Sequence, residues 1–506
     1  MGFDFSRCPL PPYAHQREGV RLLVERPAFA LFDEQGVGKT HQVITAACVL
    51  FEQGIIDKVL VICPAAVRGV WAHPEWGELK KHLWPTIPAR VTEFHAKVKT
   101  WESVPTDAPR LTFVVVNFEW ARSKERLEQL LAFCTQKTLL VIDEATAVKT
   151  SRAQQTKAVL QLRRACGRVV ALTGTPVTNQ IGDLFSIGNI LDAKILNCSS
   201  YTQFKSRYAI YGGFKVNGRP VQITGWRDVP QIQAAFAPYV IRRLKKDVLD
   251  LPAKLDPVTL TTTLTPETWV LYKSMKNNLV AWLSSSTVSQ APQAVTKVMR
   301  LQQLTSGFLG GIEEMSIGDD ELLSETPNLA PVQTVGREKL DTILTWVKAR
   351  VEEDSTFKLV IWARFRLELQ RLVKEMSVVV DHVGAITGGQ KPAEREAAIQ
   401  LLDPRTTPAG SVVVVGNPAS GGMGISLVAA NTVIYASNSP SVVQRLQSED
   451  RTCRPGQTVA CSFFDVVAEG PQGQQTIDAT ILKALRAKTD VGTFTTSAWI
   501  RALEEE

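Results

Sequence analysis

The chain has 506 residues, 44% of them hydrophobic and 21% charged, a length and balance that call for several domains with buried cores and exclude a disordered chain. Its 57 basic and 50 acidic residues leave a net charge of +7, which permits an anionic partner without requiring one.

The first element, 27–32, is apolar throughout and reads as a buried strand. Asp33-Glu34-Gln35-Gly36-Val37-Gly38-Lys39-Thr40 follows it and opens a helical stretch at 41–51. Gly36 and Gly38 allow a sharp turn with inward backbone N–H groups, and the helix N-terminus adds partial positive charge, so the segment is suited to polyphosphate. Lys39 is then expected to reach the terminal phosphates and the Thr40 hydroxyl to ligand magnesium. Asp33 stands where the usual pattern has glycine. An ordinary glycine turn is the alternative reading.

Short apolar runs at 59–63, 112–117, 138–142 and 168–172 continue a strand–helix alternation, which implies a doubly wound parallel sheet. Asp143-Glu144 follows the run at 138–142, at the strand end where open parallel sheets place ligands. Asp143 fits a magnesium ligand and Glu144 the group that deprotonates an attacking water; by themselves two such acids also fit a solvated turn. From about 195 to 330 the alternation breaks into amphipathic and polar stretches that read as helical insertion. It resumes with strands expected at 357–362, 377–380, 411–415, 432–435 and 460–467. The expected domains are therefore a nucleotide-binding lobe at 1–195, a helical insertion with an arginine-rich bridge at 196–255, a second helical insertion at 256–335, and a second lobe at 336–506.

The second alternation carries no phosphate loop but ends in Gln447-Ser448-Glu449-Asp450-Arg451-Thr452-Cys453-Arg454-Pro455-Gly456-Gln457. Arg451 and Arg454 are three apart and on a helix would point the same way, as a guanidinium pair acting on a transferring phosphoryl group requires. A solvated basic helix face is the alternative. Cysteines 8, 48, 63, 134, 166, 198, 453 and 461 avoid the two-residue spacing of zinc knuckles and read as reduced core residues. No apolar run has the roughly 20 residues of a membrane span, and the N-terminus lacks the order of a signal peptide. A cytoplasmic protein with no membrane partner is expected.

The order of Gln16, DEQGVGKT at 33–40, VICPAAV at 61–67, DEAT at 143–146, LTGTPVTN at 172–179, VIWARF at 360–365, GGMGISLVAANTVI at 421–434 and QSEDRTCRPGQT at 447–458 resembles the motor of superfamily-two helicases. Arg242-Arg243-Leu244-Lys245-Lys246-Asp247-Val248, with Arg300 to Gly307 and Arg337 to Leu340, is similar to the Swi/Snf-type ATPase branch. The resemblance covers nearly the whole chain. It implies an α/β fold of two RecA-like doubly wound parallel-sheet lobes with helical insertions between them, and ATP and magnesium as cofactors.

Residue by residue, the resemblance implies that Gln16 contacts adenine, that Gly36, Gly38, Lys39, Thr40 and Gly424 bind nucleotide, and that Thr40 and Asp143 hold the metal. Glu144 would act on the lytic water and Arg451 with Arg454 on the γ-phosphate, while Thr173, Thr175 and Gln447 couple hydrolysis to lobe movement. Pro64, Asn117, Arg364, Thr387 and Ser420 are implied backbone contacts to DNA. Thr146 replaces the family's histidine and removes one polar link between nucleotide and coupling segment. The implied activity is ATP-driven translocation on double-stranded or branched DNA through its phosphates, serving branch migration, fork remodelling, annealing or protein displacement alongside replication, recombination or repair proteins. Strand-separating unwinding of DNA or RNA, and a noncatalytic ATP-switched DNA-binding scaffold, are the other readings. The motifs begin near Tyr13 and run close to the last residue, so no accessory domain is expected, as in compact bacterial or phage motors.

Overall fold

A computed structural model describes residues 3–94, 110–174, 181–216, 219–285, 291–310, 332–388, 390–421 and 425–487. The chain forms two compact units, Met1–Asp250 and Leu251–Glu506. In unit 1 a seven-stranded sheet is built from β1 (Ala28–Leu31), β2 (Lys58–Cys63), β3 (Ala89–Glu93), β4 (Leu111–Asn117), β5 (Thr138–Ile142), β6 (Arg168–Leu172) and β9 (Val240–Ile241). Its order is β3-β4-β2-β5-β6-β1-β9, and every pairing is parallel. Helices cover parallel strands on both faces, so such strands carry unbroken apolar runs; β1 and β5 are buried at every position. Each fully buried Val, Leu or Ile contributes about 1.5–3 kcal/mol, which makes the inner strands the most strongly determined part of unit 1.

One edge of that sheet differs from expectation. The Arg242–Val248 segment, expected within a bridge, begins directly after β9, and β9 lies beside β1 with Leu31 opposite Ile241. Two residues further along both strands, the same register sets Asp33 beside Arg243. Asp33 is fully buried; its Oδ1 accepts from the Arg243 backbone N–H at 3.1 Å and from Nε at 2.9 Å, and its Oδ2 accepts from Nη2. Gln42 Oε1 takes a further bond from Arg243 Nη2 at 2.8 Å. The residue in the missing-glycine position is thus an ion-pair anchor. The stretch 196–255 contains the helices Tyr201–Tyr208 and Val229–Phe236, as expected of a helical insertion, but between them β7 (Ala209–Val216) and β8 (Arg219–Trp226) pair as an antiparallel ribbon.

Helices α1 (Ala14–Glu25), α2 (Lys39–Glu52), α3 (Arg68–Ala72) and α4 (Glu78–His82) lie in the first third of unit 1. His41 of α2 stacks on His82 of α4 with ring centroids 4.0 Å apart, and His82 Nε2 lies 3.1 Å from Glu78 Oε2. Burial, and then the neighbouring His82, lower His41 to about 4. Burial works the other way on Glu78, but its bonds to His82 and Lys81 pull that carboxyl to about 2.

Unit 2 holds a six-stranded, all-parallel sheet of β10 (Val258–Thr263), β13 (Lys358–Trp362), β14 (His382–Ile386), β15 (Val412–Gly416), β16 (Thr432–Tyr435) and β17 (Ser462–Glu469), with β11 (Phe308–Leu309) and β12 (Gln333–Thr334) pairing apart from it. The order is β10-β17-β16-β13-β15-β14. Unit 2 departs from the expected pattern in two places. The strand expected at 377–380 is displaced to 382–386: Val380 is buried in the core while Val378 is 82% exposed, and the ladder begins with His382 opposite Val412. The stretch 256–335 is not wholly helical, because β10 joins the main sheet beside β17. All eight cysteines are buried thiols outside any disulfide.

Removing the carboxylate in Asp33→Ala leaves Arg243 buried without its main partner and is expected to lower the stability of unit 1 by about 3–5 kcal/mol, read from urea unfolding; an unchanged midpoint would show the pair to be dispensable. The histidine stack gives a pH dependence. The unfolded chain takes up the His41 proton near its ordinary 6.5 and the folded chain only at about 4, so this contribution is complete above 6.5 and is lost as pH falls from there toward 4. Between pH 7 and pH 5 the wild type is expected to lose more stability than His41→Phe, and equal losses would contradict it.

Candidate nucleotide site

The loop 32–38 runs from the C-terminal end of β1 to the first residue of α2, Lys39. Gly36 and Gly38 have φ of 80° and 83°, backbone that disfavours any side chain. A Cβ on Gly38 would also come within 2.2 Å of Gln16 Nε2. Gln16 is buried against this loop: its Nε2 donates to the Val37 carbonyl at 3.2 Å and its Oε1 accepts from the Tyr13 N–H at 3.0 Å. Lys39 extends its ammonium back over the turn, donating to the carbonyls of Asp33 and Glu34 at 2.8 and 3.2 Å. Thr40 is half-buried in the first turn of α2.

The strand order brings the other expected groups to the same edge. Because β6 lies between β5 and β1, the residues after all three strands are neighbours. Asp143 and Glu144 follow β5, and Thr173, fully buried, follows β6 with its N–H bonded to the Leu31 carbonyl. Burial pushes the Asp143 carboxyl up, against the pull of the Trp71 N–H and the Lys39 charge. Its Oδ2 accepts from the indole of the fully buried Trp71 at 2.8 Å, and its Oδ1 from the Glu144 N–H at 2.9 Å. Glu144 takes a left-handed backbone with φ 52°, and its Oε1 accepts from Gln35 Nε2 at 3.2 Å.

In unit 2 Arg451 and Arg454 come together by a route other than the expected one. The helix Val442–Glu449 ends before either residue, so the pair lies in the turns that follow and not on one helix face. Their guanidiniums nonetheless converge on a single acceptor: Nη1 of each donates to the Ile425 carbonyl, at 3.4 and 2.8 Å. Arg451 Nε also donates to the Gln447 carbonyl at 3.0 Å. The preceding helix is fixed by Arg445, whose buried guanidinium bonds Glu449 at 2.6 Å, Asn438 at 2.6 Å and Asp465, and lies over the Tyr435 ring.

The remaining expected residues also gather at strand ends. Pro64 follows β2 and Asn117 ends β4, where the register pairs Asn117 with Cys63. Arg364, Thr387 and Ser420 follow β13, β14 and β15, whose last residues Trp362 and Ile386 both pair with Gly416. Pro64 is buried, the Asn117 amide bonds Glu119, and Arg364 Nη1 donates to Gln302 Oε1 at 2.6 Å. Thr175 and Gly424 lie outside the described residues, as does the side chain of Ser420. Sequence reasoning placed Arg243 and Gln35 in motifs but not their contacts to Asp33 and Glu144, and it passed over Trp71, which bonds Asp143. Trp71 had one available signal, an indole in the segment just after the VICPAAV run.

The donor set fits a magnesium-bound nucleotide. A buried carboxylate pushed up in pKa is relieved by a divalent cation, and a lysine over a two-glycine turn at a helix N-terminus suits phosphate. No helix among the described residues is long and apolar enough to cross a membrane.

The chain is 24% identical over 95% of its length to the SWI/SNF-related matrix-associated actin-dependent regulator of chromatin subfamily A-like protein 1 homolog of Caenorhabditis elegans, covering 61% of that protein. It is also 24% identical, over 93% of its length, to human chromodomain-helicase-DNA-binding protein 6, of which it covers 17%. The chain therefore spans less than two thirds of these relatives. The Sulfolobus solfataricus SWI2/SNF2 ATPase core solved in complex with dsDNA aligns over 99% of this chain and 98% of its own at 21% identity, with a TM-score of 0.43. The SNF2-related domain matches residues 15–306, more than half of the sequence. With two parallel-sheet α/β units and helicase-like motifs in order, the chain belongs to the SNF2-related family, the Swi/Snf-type ATPases of helicase superfamily two.

Proposed function

We propose that the protein hydrolyses ATP with magnesium at the edge of unit 1 where β5, β6 and β1 end, and that the cycle drives translocation along double-stranded or branched DNA. The observation carrying the reading is the collection of Asp143 and Glu144 after β5, Thr173 after β6 and Lys39 after β1, at three adjacent strand ends. Bound magnesium-ATP supplies the phosphoryl group and the cation that neutralises its charge. Lys39 and the amides around Gly36 and Gly38 bind the phosphates, Thr40 and Asp143 hold the metal, and Glu144 takes the proton of the attacking water. Trp71 keeps Asp143 oriented. Gln16 contacts the base from its seat on the Val37 carbonyl, and Gly424 completes the nucleotide contacts.

Arg451 and Arg454 of unit 2 stabilise charge on the transferring group, with Arg454 the more accessible of the two. Thr173, Thr175 and Gln447 couple the chemistry to movement. Pro64, Asn117, Arg364, Thr387 and Ser420 mark sheet edges suited to phosphate contacts, which position a protein on DNA without reading its sequence. Family membership and a relative named as a helicase-DNA-binding protein support the DNA half of the reading. Branch migration, fork remodelling, annealing and protein displacement are the tasks open to such a motor.

ATPase assays without DNA and with single-stranded, duplex and forked DNA test this directly. Duplex or forked DNA is expected to stimulate turnover strongly, and Lys39→Ala or Arg454→Ala to reduce it by about 10³-fold or more. Equal turnover with and without DNA would remove the translocase reading, and undiminished turnover in Lys39→Ala would remove the site.

A further inference from the structure

Gln35 lies in the loop between β1 and α2, and two of its contacts reach residues beyond other strands of the sheet. The residue is 8% exposed, and its amide donates to Glu144 Oε1 at 3.2 Å, joining the loop after β1 to the acid after β5. The residue between them in the sheet order also touches it: a Cβ built on Gly174, just beyond β6, would come within 2.5 Å of Gln35 Cγ and 3.2 Å of its backbone nitrogen. The stem of Gln35 is therefore closed off on one side by the backbone at Gly174 while its amide reaches the carboxylate on the other. The carboxylate it reaches belongs to a residue with a left-handed backbone, φ 52° and ψ 57°, which side-chain-bearing residues seldom adopt.

We propose that Gln35 is a positioning residue for Glu144: its amide holds one carboxylate oxygen and so sets the direction of the carboxylate that takes the proton, and its contact with Gly174 ties that orientation to the segment beginning at Thr173. A shift of residues 173–174 moves the Gln35 stem and with it the carboxylate. The proposal rests on the reading of Glu144 as the group that accepts the water proton.

Gln35→Leu keeps the stem and removes the donor, and Gln35→Glu keeps the shape and sets a second carboxylate against Glu144. In the nucleotide-free protein, melting of Gln35→Leu, Glu144→Ala and the double variant is expected to be non-additive by about 2–4 °C, the size of one hydrogen bond in a domain this large. In turnover both Gln35 variants are expected to lower kcat by about tenfold to hundredfold with the KM for ATP unchanged. In a Glu144→Gln background, Gln35→Leu should cause no further loss. Additive melting shifts, a wild-type kcat, a loss confined to KM, or an equal fractional loss in the Glu144→Gln background would each overturn the proposal. A wild-type protein that does not hydrolyse ATP would remove the proposed function, while the melting cycle would still report on the Gln35–Glu144 contact.

Discussion

The buried pair of Asp33 and Arg243 is the interaction on which the geometry of unit 1 depends. It joins residues 210 positions apart, and it closes the outer edge of the sheet at the point where β1 turns into the phosphate loop. Three bonds hold Asp33 from one side, and Gln42 links the same guanidinium to the second turn of α2. The loop's entrance and the helix that follows it are thus fixed by one buried cation. With that end held, Gly36 and Gly38 take their left-handed turns and Lys39 folds back over the carbonyls of 33 and 34. A buried ion pair is costly to break and not always worth much when intact; its use here is to set register.

The same edge explains why the site is compact although its residues are scattered along the chain. Parallel strands put all their C-terminal ends on one side, and the order β5-β6-β1 places 143–144, 173–174 and 33–40 in that sequence across the sheet. Unit 2 repeats the arrangement with Arg364, Thr387 and Asn417 after β13, β14 and β15. There a buried network around Arg445, Glu449 and Asp465 anchors the helix, and the turns after it present Arg451 and Arg454.

Much of this was legible in the sequence because fully buried parallel strands must be continuous apolar runs: β2, β4, β5, β6, β13, β15 and β16 fall within a residue of expectation. What escaped was structure fixed by partners. β3 carries alternating, half-exposed residues at an edge, β9 is two residues long and exists through its pairing with β1, and the ribbon β7–β8 is glycine-rich and stabilised by its own register. The three valines at 378–380 outcompete His382–Ile386 as a strand by composition, yet Val380 is claimed by the core and the ladder starts later. In the candidate site, the placement of Lys39, Thr40, Asp143 and Glu144 after β1 and β5 was legible because each group follows an unbroken apolar run. Asp33, Gln35 and Trp71 were not, since each works through a side chain from another strand end or helix. Arg445 and Arg451 show the same limit: both are arginines in one short segment, and only packing makes the first an internal anchor.

Binding of magnesium-nucleotide where β5, β6 and β1 end is the proposal from which the other assignments follow. Backbone hydrogen exchange with and without a magnesium-bound, non-hydrolysable ATP analogue measures this most directly. Slowed exchange concentrated at the amides of 36–40, with 143–144 and 173–174 following, is the predicted result. Tight analogue binding that leaves those amides unchanged would place the nucleotide elsewhere.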